Sequence, residues 1–100
     1  MKIEGTYDAG HRRMRILIDG RALDPKPSQG LWNHSPDGFA WGYGGSGPAQ
    51  LSLAILLEAG VDEDHARRFH QRFTTQFIAG LPRDSFVLEL DVAQWAADQA

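Results

Sequence analysis

From Pro48 to Ala59 the chain reads Pro-Ala-Gln-Leu-Ser-Leu-Ala-Ile-Leu-Leu-Glu-Ala, with only Gln50, Ser52 and Glu58 interrupting the apolar side chains. A helix that is apolar almost all round is a buried helix, so the remainder of the 100-residue chain has to supply its covers. The limits of this helix are written in the residues: Ser46 or Gly47 can cap it, Pro48 suits its first turn, and Gly60 stops it where left-handed backbone costs little. What leads into it is equally specialised. Ser35 to Gly47 starts as a turn, passes Phe39, Trp41 and Tyr43 separated by Ala40 and Gly42, and closes in a glycine-rich bend.

One hundred residues make a single domain, 1–100, and 42% apolar residues with 10% aromatics suffice for one core. Ten basic residues face thirteen acidic ones, a formal charge of −3, so no whole-domain field draws nucleic acid, and a sequence-specific nucleic-acid partner is not expected. Cysteine is absent, which excludes disulfides, thiol catalysis and thiolate metal sites. No segment has the roughly 18 consecutive apolar residues of a membrane span, and the start carries no signal-like run. The expectation is a cytoplasmic protein with no membrane association and no cofactor.

In chain order, residues 2–9 alternate weakly and Gly10-His11-Arg12-Arg13 breaks the pattern. Met14 to Asp19 then resumes it, which predicts a hairpin with Met14, Ile16 and Ile18 toward the core. Asp19-Gly20 predicts a tighter second hairpin onto Arg21-Ala22-Leu23. Asp24 to Gly47 shows no sustained period and reads as a long loop, in which Phe39, Trp41 and Tyr43 form a short strand with their rings on one face. A second helix starts at Asp62, which caps it, with Val61 and Ala66 as a hydrophobic staple. Ala66, Phe69, His70, Phe73, Phe77 and Leu81 form its core face, and Arg67, Arg68, Gln71, Arg72 and Gln76 face water. Ser85 to Asp91 is a strand with Phe86, Leu88 and Leu90 on one face, and Asp91 with Gln94 forms a capping box for a short last helix anchored by Trp95. The order implies an α+β domain: a small, mainly antiparallel sheet of N-terminal hairpin and C-terminal strand, packed against two central helices and a short C-terminal helix.

Gly42-Tyr43-Gly44-Gly45-Ser46-Gly47 spells G-x-G-x-x-G, but its helix leads to another helix, so the βαβ unit of a dinucleotide fold is missing. Two readings remain for these glycines. Exposed amides of Gly44 to Gly47, with the helix dipole, are placed to hold a phosphate or carboxylate, or the glycines serve only a sharp turn under Trp41 and Tyr43. Ser46, His34 and Asp37 compose a nucleophile, base and orienting acid without diagnostic spacing, and capping and turn roles explain Ser46 and Asp37 more simply. His65 and His70, five apart, do not share a helix face and make a poor metal pair, so no metal site is expected. His70 reads as a core-edge residue and His65 as a solvent one. Arg12, Arg13 and Arg15, and Arg67, Arg68 and Arg72, are basic clusters that read more simply as solvated faces.

Over Ser35 to Leu57 the residues SPDGFAWGYGGSGPAQLSLAILL resemble an uncharacterised small-protein family of bacteria, plasmids and phages with the core S-P-x-G-F-x-W-G-Y-G-G-S-G-P-A-Q-L-A-L-A-I-L. The resemblance extends through Phe69 to Phe73, Ile78-Ala79-x-Leu81-Pro82 and Trp95. It implies a domain of unknown function carried on mobile elements, where small proteins often bind host or defence machinery, anti-CRISPR-type inhibitors included. The expectation is therefore a non-enzymatic binding protein whose partner is a host or defence protein, with contact residues Trp32, His34, Asp37, Phe39, Trp41, Tyr43, Gly44, Gly45, Ser46 and Gly47. A homo-oligomer is compatible with an aromatic patch. The competing expectation is a small-ligand protein or minor enzyme using Gly44 to Pro48 as an anion cradle.

Overall fold

A computed structural model describes residues 1–8, 10 and 13–99. Three strands come first, β1 (Lys2–Asp8), β2 (Arg13–Ile18) and β3 (Arg21–Ala22), then three helices, α1 (Lys26–Leu31), α2 (Ser46–Glu58) and α3 (Glu63–Phe73). A π-helical turn over Thr74–Ile78 prolongs α3, and β4 (Ser85–Glu89) and α4 (Val92–Gln99) complete the chain. The sheet is antiparallel throughout, in the order β3-β2-β1-β4. The expected α+β architecture is the one observed.

Register follows from the alternation of side chains. Ile3 pairs with Ile18 and Leu88, and Gly5 with Ile16 and Phe86, so all of these point to one face. The second hairpin is the tight one that Asp-Gly dictates: Asp19 and Gly20 have φ of 49° and 82°, the double positive φ of a type I′ turn. Asp19 also closes the sheet end, its carboxylate accepting from the Lys2 N–H and its own N–H donating to the Lys2 carbonyl, both at 2.8 Å. Gly5 is required for a different reason. A Cβ there would lie 2.2 Å from Cε1 of Phe86, whose ring covers the glycine.

Helix α2 is the buried axis. Leu51, Leu53, Ile55 and Leu56 join one cluster with Ile3, Ile16, Ile18 and Phe86 of the sheet and with Ala66 and Phe73 of α3. Helices α1, α3 and α4 lie against α2, which explains why no side of it is polar. It starts two residues earlier than Pro48, with Gly45 in the cap position, so neither Ser46 nor Gly47 caps it. It ends as expected: Gly60, at φ 83°, donates to the Leu57 carbonyl and Val61 to that of Leu56, the paired bonds of a Schellman motif.

Asp62 caps α3 by accepting from the His65 N–H at 3.0 Å, a bond that holds its carboxyl below the usual range. Ala66, Phe69, His70 and Phe73 are buried while Arg67, Arg68, Gln71 and Arg72 are exposed, as the 3.6-residue period requires. Beyond Phe73 the helix widens instead of continuing. Gln76 Oε1 accepts from the Trp95 indole at 2.8 Å, and Phe73, Phe77 and Trp95 pack as three mutually tilted rings. Asp91 caps α4 by accepting from the Gln94 N–H. The Gln94 side chain donates forward to Asp98, so only half of the expected capping box forms.

Two expectations for the long loop are corrected. Lys26–Leu31 is helical because Pro25 fixes a helical φ at its cap and the hydroxyl of buried Ser28 returns to the Pro25 carbonyl. Phe39, Trp41 and Tyr43 form no strand. Gly42 turns the chain at φ 84°, and its N–H donates to the Ile78 carbonyl, which sends Trp41 inward and Tyr43 outward.

Gly5→Ala is expected to lower unfolding free energy by about 2 kcal/mol, the order of an overpacked core site. The loss should shrink in a Phe86→Leu background, where the ring is gone. Chemical denaturation of the two single variants and the double variant measures both effects.

Candidate functional site

Two polar residues turned into the core, Gln50 on the apolar α2 and His70 on the buried face of α3, build the site from below. Both are fully buried. A buried amide requires partners for its donor and acceptor, and Gln50 finds them in the loop. Its Oε1 accepts from the backbone N–H groups of His34 at 2.7 Å and Ser35 at 3.0 Å, and its Nε2 donates to Ser28 Oγ at 2.9 Å. One side chain thereby ties α1, the loop and α2 together. Ser52 and Thr74 continue the buried polar seam, their hydroxyls 2.7 Å apart.

His70 is the second anchor. Its Nε2 lies 2.8 Å from Nε2 of His34, and its Nδ1 lies 3.0 and 2.8 Å from the carbonyls of Ala66 and Arg67. Trp32 completes the cluster: its indole stacks on the His34 ring at 4.4 Å and meets His70 edge-on at 5.2 Å. Trp32 remains 44% exposed. Both imidazoles are held below the ordinary histidine pKa of 6.5, in each case chiefly by burial. The neighbouring His70 lowers His34 further, whereas the two carbonyl bonds act in the opposite direction on His70.

The expected contact residues therefore divide. Trp32 and Tyr43 are the loop's exposed large aromatic residues and His34 is half-buried, with Tyr43 42% exposed and the Arg83 guanidinium 5.5 Å from its ring centre. Trp41 does not belong to that surface. It is 1% exposed, stacks edge-on against Phe86, and donates from Nε1 to the Pro82 carbonyl at 2.9 Å. Asp37 and Phe39 border two hollows. One, of about 490 Å³, lies against Met14, Ile16 and Leu23; the other, of about 390 Å³, lies at the start of α2 beside Tyr43, Ser46 and Gly47. Gly44 and Gly45 are exposed, but Gly47 is buried with Ala40 so close that a Cβ would stand 2.6 Å from that residue's own.

No hydrogen bond joins Ser46, His34 and Asp37, and His34 Nε2 is engaged by His70. His65 pairs with Asp62 at 2.5 Å while His70 turns to His34, so the two helix histidines do not converge. Of the basic clusters, Arg68 and Arg72 sit 5.3 and 5.4 Å from the Phe69 ring centre. Arg12 lies outside the described residues, as does His11.

The His34–His70 pair joins residues 36 apart in sequence and was not legible from spacing. Its signals were present singly: a glutamine inside an apolar helix and a histidine on an apolar face each require a buried partner. Neither signal names that partner.

The family comparison matches residues 4–98 to DUF6166, described as a family of unknown function. No curated protein and no solved structure matches the chain.

Replacing Gln50 by Leu removes the acceptor of two N–H groups and is expected to cost about 2–4 kcal/mol in chemical denaturation. The histidine pair makes stability depend on pH with a definite sign. Because both folded-state pKa values lie below 6.5, the unfolded chain takes up protons first, so their contribution is intact above that pH and is lost as pH falls through the folded-state values. Melting temperature should hold steady from about pH 8 to about pH 7 and fall below it, less steeply in His70→Gln.

Proposed function

Because the chain belongs to DUF6166, a family of unknown function, its role rests on its own side chains, and we propose that it is a non-enzymatic binding protein. Its contact surface is the loop bearing Trp32, His34 and Tyr43. The observation that carries this reading is large aromatic area left in water on a segment fastened from beneath. Gln50 holds His34 and Ser35, the Gly42 N–H is bonded to Ile78, and Trp41 is bonded to Pro82. Aromatic residues dominate interface energy, and a segment already immobile loses little entropy on docking. The resemblance to bacterial, plasmid and phage proteins supports a mobile-element origin and a host or defence protein as partner, with anti-CRISPR-type inhibition as one mode of action.

The anion-binding alternative draws less support. The hollow at the start of α2 has Asp37 in its wall and neither lysine nor arginine among its lining residues. A carboxylate there opposes a phosphate and itself answers the positive end of the helix.

Affinity purification followed by mass spectrometry, with wild type beside variants, tests the proposal. Trp32→Ala and Tyr43→Ala should stay within about 1 kcal/mol of wild-type stability. Each should weaken a discrete partner by about 2 kcal/mol, roughly thirty-fold. Trp41→Ala, by contrast, should lose about 3–5 kcal/mol of stability because it empties the core. A partner retained at full strength by the folded Trp32→Ala, Tyr43→Ala double variant would overturn the proposal.

A further inference from the structure

The protons of the histidine pair are assigned by its neighbours. Carbonyl oxygens only accept, so His70 Nδ1, facing those of Ala66 and Arg67, carries a hydrogen. In neutral His70 the lone pair is then on Nε2. His34 Nε2, 2.8 Å away, has to donate to it. A neutral imidazole has one N–H, and His34 has spent its own on His70, so its Nδ1 bears a lone pair.

That nitrogen has no partner among the described residues, yet no buried side-chain nitrogen or oxygen among them lacks one. His34 Nδ1 is therefore open to solvent, on a ring stacked against a half-exposed indole. We infer that His70 is a positioning residue that locks the tautomer of His34, and that Trp32 and His34 together form a site for a group donating N–H or O–H to His34 Nδ1 while laying apolar surface on the indole. The inference rests on the proposal that this face is the contact surface and specifies its chemistry.

The same arrangement sets a response to acid. His70 Nε2 is occupied by the inter-ring bond, so the first proton goes to His34 Nδ1. The bond between the rings survives, but the acceptor at the surface becomes a donor, and a donating ligand group is rejected. The groups facing the rings are Trp32 from the loop, His70 and the Ala66 and Arg67 carbonyls from α3, and Gln50 from α2 at the His34 backbone. Along α3 the charged residues nearest His70 are Arg67, Arg68 and Arg72, and no carboxylate is hydrogen-bonded to either ring among the described residues. Burial favours the neutral pair at neutral pH.

Long-range proton–nitrogen NMR correlations on the ¹⁵N-labelled protein test the assignment with no partner present. The expected result at about pH 7.5 is His34 protonated on Nε2 and His70 on Nδ1. His70→Leu should let the His34 tautomers mix, and His70→Gln, whose amide oxygen accepts, should restore the lock. If either variant fails to fold, the wild-type spectrum and a pair of probes still decide. Indole and 1-methylindole, at millimolar concentration, offer the same flat surface with and without an N–H. Indole should move the His34 Nδ1 resonance upfield and 1-methylindole should not, and the difference should vanish once His34 is protonated. His34 found protonated on Nδ1 at neutral pH, or equal or absent shifts with the two probes, would overturn the inference. Loss of the contact-surface proposal is read separately, from partner retention by the folded Trp32→Ala, Tyr43→Ala double variant.

Discussion

Helix α2 has no side that tolerates water, and the rest of the molecule is arranged around that fact. Its leucines and Ile55 are covered by one face of the sheet and by α1, α3 and α4. Apolar burial drives this enclosure but is non-directional, so it leaves open how the covering segments are aligned. Alignment comes from the few polar atoms carried inside. Gln50 reaches three partners in two segments, and a buried amide that loses them costs more than the bonds contribute when made.

The loop before α2 owes its shape to this asymmetry. It has no regular structure between Trp32 and Gly45, so its backbone groups need partners elsewhere. The chain meets the need by bonding the N–H groups of His34 and Ser35 to Gln50 and that of Gly42 to Ile78, and the Trp41 indole adds a side-chain bond to Pro82. A segment held at these points can keep Trp32 and Tyr43 in water without collapsing onto them. Rigidity and exposed aromatic area are thus consequences of one set of bonds, and together they make the loop fit to dock.

The histidine pair shows how burial sets chemistry at a surface. His70 is inside, its proton assigned by helix carbonyls, and that assignment passes through a 2.8 Å contact to a ring that reaches solvent. The pair is neutral for a reason of solvation, and its outer nitrogen accepts for a reason of hydrogen-bond geometry.

Much of the fold was legible in the residues alone, because its signals are local. Period-two alternation placed Met14, Ile16 and Ile18 inward, Asp19-Gly20 specified a type I′ turn, Asp62 and Asp91 marked helix starts, and Gly60 marked a stop. The loop departs from its local pattern where long-range contacts overrule it. Alternation across Phe39, Trp41 and Tyr43 suggested a common face, but the Gly42–Ile78 bond and the space beside Phe86 drew Trp41 into the core. The candidate site was half visible: Trp32, His34 and Tyr43 stood out by type, whereas His70 did not, since its pairing spans 36 positions and depends on how α3 crosses the loop. Local chemistry determined which segments turn, cap and alternate, since those interactions close within a few residues. Only the tertiary structure decided which aromatic rings meet water and which histidine nitrogen holds a lone pair, because both depend on atoms that sequence distance does not bring together.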